Sequence, residues 1–227
     1  MNGSPQERTA KWLVGDQLAC VLHLGDGALA YELAEQGHEV VVAGDDVSSN
    51  RHEDIHYVRT RGERLPFIAN AFDVVIVPQI REAPTALAEF ARVLRHDGLL
   101  STISHRYDDA IPWMRKLRAI TGDRRAPAVP VDTFTASGLF REPETHQFGT
   151  WEKLDLPGLM QFAESTRSPS VDESALAEVH TLFQSYGAQT GFLRLRHETE
   201  CVRARVDKSS MAGQESEPPD TMLLDFR

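Results

Sequence analysis

The sequence predicts an α/β protein with a doubly wound, mostly parallel sheet and an antiparallel C-terminal strand pair. Three observations point there. Apolar runs of strand length alternate with helical stripes through the first hundred residues. Those runs are continuously apolar, as strands buried on both faces are. Two later segments, 192–195 and 199–206, instead alternate in character around a turn at 196–198, the pattern of an antiparallel pair.

Each element follows from local chemistry. After a polar start, residues 20–24 form the first buried strand. Leu29, Leu33 and the alanines between them give residues 28–36 an apolar helical stripe, which Gly37 ends. Val40, Val41 and Val42 mark a second strand over 39–43, and residues 55–59 form a third. The run from Phe72 to Val77 is the fourth. Leu87, Phe90, Ala91 and Leu94 share one side of a helix over 83–94, and 98–104 is the fifth strand. A helix is expected over 111–120, then an irregular, lid-like excursion over about 121–150, rich in Pro, Gly and charge. Loops of that length in a compact domain are functional or mobile. Helices over 156–164 and 173–186 precede the strand pair. Residues 207–227 read as an acidic flexible tail, with too little apolar surface up to Pro219 to order itself. Its apolar end carries Leu223, Leu224 and Phe226, which either dock on the body or bind a protein partner.

Composition narrows the function. With 24 Lys and Arg against 34 Asp and Glu, the net charge of -10 repels phosphate backbones and disfavours nucleic acid. The basic group Arg115, Lys116, Arg118, Arg124 and Arg125 reads as a solvated face. Only Cys20 and Cys201 are present, so no disulfide framework or thiolate metal site is expected. His52, Glu53, Asp54 and His56 read as a polar loop, and no metal is assigned. Without a secretory leader or a long apolar run, the expectation is a cytoplasmic protein with no membrane partner.

The most informative stretch is Val21 to Leu29, a strand that breaks into Gly25-Asp26-Gly27 and then a helix. Such a turn presents backbone N–H groups and a helix N-terminus to a polar or anionic ligand. Leu29 stands where a third glycine would fall in a GxGxG run. The dinucleotide fingerprint GxGxxG is incomplete too, because Ala30 occupies its last place; that change alone is sometimes tolerated, so the later segments carry the argument against an oxidoreductase.

In order and motif the chain resembles the class I S-adenosylmethionine-dependent methyltransferases, whose fold is Rossmann-like, and in particular small bacterial enzymes acting on small molecules. Val21 to Gly27 looks like their first motif. Gly62-Glu63-Arg64-Leu65-Pro66-Phe67 is similar to the segment near which the adenine binds. Residues 72–79 and 86–98 look like the fourth strand, its helix and the turn into the fifth. Tyr107-Asp108 with Pro112-Trp113 and Leu117, and residues 162–168, match elements of one subgroup.

The resemblance implies S-adenosylmethionine as cofactor, held by His23, Gly25, Asp26, Gly27, Asp45, Asp46, Glu63 and Gln79. In the family a carboxylate occupies the position of His23, and the ribose-gripping acid falls on Gly44. Asp45 and Asp46 substitute for it if the second strand ends one residue later. Asp97, where the family often has glycine, reads as a surface change. His105, directly after the fifth strand, is the candidate catalytic base. Two functions follow: a methyltransferase for an unidentified small molecule, or a catalytically inactive methyltransferase-like protein that works as a binding or regulatory partner through its tail.

Overall fold

The computed structural model describes residues 4–25, 27–45, 51–60, 64–78, 84–123 and 131–209. They form two compact units. The first comprises the described residues within 1–104, 129–146 and 200–227, and the second those within 105–128 and 147–199.

The chain opens with a helix that the sequence reading passed over, α1 (Pro5–Val14). Its signal was present as a capping box. The Ser4 hydroxyl accepts the Glu7 N–H at 3.0 Å, and the Glu7 carboxylate accepts the Ser4 N–H at 3.1 Å. Alternation then proceeds as expected through β1 (Cys20–His23), α2 (Gly27–Glu35), β2 (Glu39–Gly44), β3 (Ile55–Arg59), β4 (Phe72–Val77), α3 (Pro84–Val93) and β5 (Leu94–Tyr107). All four neighbouring pairs in the order β3-β2-β1-β4-β5 are parallel. Strand order therefore reverses at β1 and β4. The connections leaving these two strands go to opposite faces, which leaves a crevice at their carboxyl ends.

The core of the first unit joins Leu22, Val41, Val75 and Leu100 from the strands to Phe67, Leu87 and Ala91. Each fully buried Leu, Val or Phe adds about 1.5–3 kcal/mol, and the Phe67 and Phe72 rings meet edge-to-face at 4.9 Å. The Ser101 hydroxyl on β5 donates to the Leu13 carbonyl at 2.8 Å, which satisfies a buried polar group and ties α1 to the sheet.

The second unit contains α4 (Pro112–Thr121), α6 (Leu156–Thr166) and α7 (Leu176–Tyr186), the last preceded by a 3-10 turn over Glu173–Ala175. Trp113, Leu117, Leu159, Ala163, Val179 and Leu182 form its core with Leu193 and Leu195.

Two expectations are corrected. The excursion over about 121–150 is not irregular throughout, because α5 (Asp132–Ala136) and most of β6 (Phe140–Leu154) lie in it. Strand β6 is the last in the sheet and mostly exposed, so it lacks the apolar alternation by which strands are read. Nor is there a turn at 196–198: residues 193–206 are one strand, β7 (Leu193–Val206), between β5 and β6. Along β7 the contacts run backwards relative to both neighbours. The Asp108 N–H donates to the Arg196 carbonyl, and the Arg205 guanidinium donates to the Asp97 carbonyl. On the other side His197 meets Glu152, Arg203 meets Glu144, and the Asp207 N–H donates to the Leu139 carbonyl. The antiparallel C-terminal pair is thus β6 with β7, formed by two long strands rather than one hairpin.

Candidate functional site

At the carboxyl end of β1, His23 lies in register with Val42 and Ile76, and the Leu24 N–H continues the pairing by donating to the Ile76 carbonyl at 2.8 Å. The chain then turns at Gly25. A Cβ added there would lie 2.8 Å from His23 Cε1 and 3.0 Å from Nε2. The imidazole, only 2 % exposed, is the floor of the turn. It sets the backbone's height and leaves no room for a side chain at 25. Helix α2 begins at Gly27, and its first turn carries no acidic residue. Leu29 is half-buried in that turn.

Strand β2 extends to Gly44, one residue past the expected end, so Asp45 is the first residue beyond it. Asp45 therefore stands directly after the strand, at the position the resemblance makes the candidate ribose carboxylate. A Cβ on Gly44 would meet nothing within 4 Å. Asp45 is exposed, and its backbone carbonyl accepts Arg59 Nε at 2.9 Å. Among the described residues its carboxylate has no partner and remains available to a diol.

The segment around Leu65 is held by a pair that sequence reasoning missed. Glu89 and Arg92 on α3 form a 2.6 Å ion pair, with side chains 13 % and 14 % exposed. Glu89 also accepts the Leu65 N–H at 2.8 Å, and Arg92 donates to the carbonyls of Phe67 and Leu65 at 2.8 and 3.2 Å. Burial pushes the Glu89 carboxyl up, but the Arg92 and Leu65 hydrogen bonds outweigh it and hold the group below its ordinary value. Three residues apart on a helix, the two read in sequence as an ordinary surface pair. Only the packing shows that they clasp the loop.

Asp26, Asp46, Glu63 and Gln79 lie outside the described residues, as do Leu223, Leu224 and Phe226. His105 is corrected in position: it lies within β5 rather than after it, exposed, with Nδ1 3.1 Å from Thr199 Oγ1 on β7. It belongs to the second unit, whereas His23, Gly25, Gly27 and Asp45 belong to the first. Asp97 is more than a surface change. Its φ of 61° is left-handed, which explains the family's glycine, and a Cβ on the following Gly98 would lie 3.0 Å from the Asp73 and Arg95 carbonyls.

A glycine turn over a buried prop at the switch point, with a carboxylate after the next strand, suits a cofactor with a charged amino-acid end and a ribose. The described residues fit S-adenosylmethionine in that sense. These features define a Rossmann-like domain.

Known proteins carry the assignment further. Residues 22–102 match the model of a methyltransferase domain family. Uncharacterized methyltransferases of Mycobacterium tuberculosis and Mycobacterium bovis are each 28% identical over 213 residues, covering 86% of both chains. In fold, the chain is similar to a protein of Anaeromyxobacter dehalogenans provisionally assigned as a type II methyltransferase, with TM-score 0.63, 20% identity, and coverage of 87% of this chain and 94% of that one. It is also similar to the YcgJ protein of Bacillus subtilis, with TM-score 0.56, 12% identity, and coverage of 88% and 97%. Part of the first unit is thus similar to a methyltransferase domain, the curated relatives are themselves described as methyltransferases, and the solved structures show the fold.

Proposed function

We propose that the protein is an S-adenosylmethionine-dependent methyltransferase acting on a small molecule. The observation that carries this reading is the Gly25 turn seated on His23, with the Asp45 carboxylate following the adjacent parallel strand. The backbone around Gly25, Asp26 and Gly27 takes the methionine end, Asp45 and Asp46 the ribose hydroxyls, and Glu63 and Gln79 line the adenine side. Bound there, the cofactor supplies an electrophilic methyl group on a sulfonium. The chain's contribution is alignment, which suffices for much of methyl transfer. Among the described residues no group of three or more His, Cys, Asp or Glu could hold a metal, and no helix is long and apolar enough to cross a membrane. A cytoplasmic setting is part of the proposal, supported by two free, buried cysteines.

Calorimetric titration with S-adenosylmethionine tests it. Binding near the micromolar range, weakened about ten- to a hundredfold by Asp45→Asn through loss of a charged hydrogen bond, is the expected result. No heat at millimolar cofactor refutes it. That outcome would leave the second reading, an inactive methyltransferase-like binding protein. Its motive is His23, an imidazole where the family places a carboxylate that attracts the cofactor's ammonium. The tail anchors Leu223, Leu224 and Phe226 would serve a protein partner.

A further inference from the structure

The carboxyl end of β2 is shaped by a side chain on its outer neighbour. Strands β2 and β3 run parallel with Gly44 opposite Arg59, and the pairing extends one step, because the Thr60 N–H donates to the Gly44 carbonyl at 3.0 Å. Past that point the Arg59 side chain takes over from the backbone. Its Nε donates to the Asp45 carbonyl at 2.9 Å, bridging 14 residues of chain. Strand β3 begins the strand order, so Arg59 reaches inward from the sheet edge. All four residues lie in the first unit.

Two properties of this contact matter. A Cβ on Gly44 would meet nothing within 4 Å, so side-chain packing does not hold the peptide leading into Asp45, and glycine leaves that peptide more rotational freedom than any other residue would. The guanidinium restores the constraint, since its N–H donors are fixed in one plane. The contact is also made to the Asp45 backbone, and among the described residues the carboxylate carries no ion pair. The tether therefore orients the Asp45 side chain without neutralising it. Both residues are exposed, so water competes for the bond and its loss costs less than that of a buried one.

We propose that Arg59 is a positioning residue for the cofactor's ribose: by holding the Asp45 carbonyl it presents the Asp45 carboxylate to the two ribose hydroxyls. This rests on the methyltransferase reading, with Asp45 as the ribose carboxylate, and it gives a task to β3, which supplies no residue to the motif segments. A carboxylate accepts from both hydroxyls of a diol only when its oxygens face them. An Asp45 free to swing spends part of its time out of reach, and apparent affinity falls with the fraction of time it is competent. The methionine end, at the Gly25 turn, gains nothing from the tether. Arg59 thus acts only on ligands that carry the diol.

The test is calorimetric, with full-length protein and two ligands: S-adenosylhomocysteine and its 2′,3′-dideoxy analogue, which lacks the diol. Arg59→Ala should weaken the first about three- to tenfold and change the second by less than about twofold. Arg59→Lys, which keeps a donor without the fixed plane, should recover part of the loss. In an Asp45→Ala background, Arg59→Ala should cost nothing more, because its effect runs through that carboxylate. Thermal melts check that each variant folds. Equal losses on the two ligands, no loss on either, or a full further loss in the Asp45→Ala background overturns the positioning role. Failure of the methyltransferase reading looks different: the unaltered protein then binds neither ligand, and the ribose role of Arg59 falls with it.

Discussion

Glu89→Ala would take away one half of the pair that clasps Leu65 to Phe67. Arg92 loses two of its four hydrogen bonds, those to Glu89, and keeps the carbonyls of Phe67 and Leu65. The Leu65 N–H loses its acceptor on a residue only 4 % exposed. Removing one partner of a buried pair costs about 3–5 kcal/mol. Because both side chains retain some water contact, the lower end applies, about 3 kcal/mol. For a chain of this size that lowers Tm by about 6–12 °C. Glu89→Gln keeps an acceptor for Leu65 and should lose about half as much. The pair also makes stability depend on pH. Glu89 is held below its ordinary value in the folded state, so its contribution is complete above the unfolded carboxylate range and fades as pH falls through the folded value. The assay is urea unfolding followed by circular dichroism at several pH values. A loss under about 1 kcal/mol, or an acid dependence unchanged in Glu89→Gln, would refute the clasp.

Other expectations follow from single contacts. Gly25→Ala drives a methyl group into the His23 ring and should cost about 1–3 kcal/mol. His23→Ala in the same background should recover part of it, as melts of the double-mutant cycle would show. Asp97→Gly relieves a left-handed φ and gives up only an exposed pair with Arg141, so stability should rise by about 0.5–1 kcal/mol in denaturant titrations. The thiols of Cys20 and Cys201, pushed up to about 12 chiefly by burial, should resist a disulfide reagent at pH 8 in the native protein and react on unfolding.

The parallel half of the fold was legible because it repeats one physical demand. Strands buried on both faces must be apolar throughout, and the helices covering them must be amphipathic, so β1, β2 and β4 with α2 and α3 announce themselves residue by residue. The turn at Gly25 was legible for the same local reason. Strand β6 was not, and β7 was read only as two alternating pieces with a turn between them. In β6, mostly exposed, and in β7, where charged residues alternate with buried ones, the backbone is satisfied by neighbours far away in sequence, and the residues between them carry no periodic mark.

The sequence by itself therefore determined the sheet, its motif segments and the candidate carboxylate after the second strand. Local hydrophobic patterning and backbone sterics suffice for those. Only the tertiary structure decided that His23 is a buried prop, that Glu89 and Arg92 hold the Leu65 segment, and that His105 lies against Thr199. These are pairings across 24 to 94 residues of chain, or choices between burial and exposure for a polar side chain. Nothing in local sequence distinguishes a buried ion pair from a solvated one until packing removes the water.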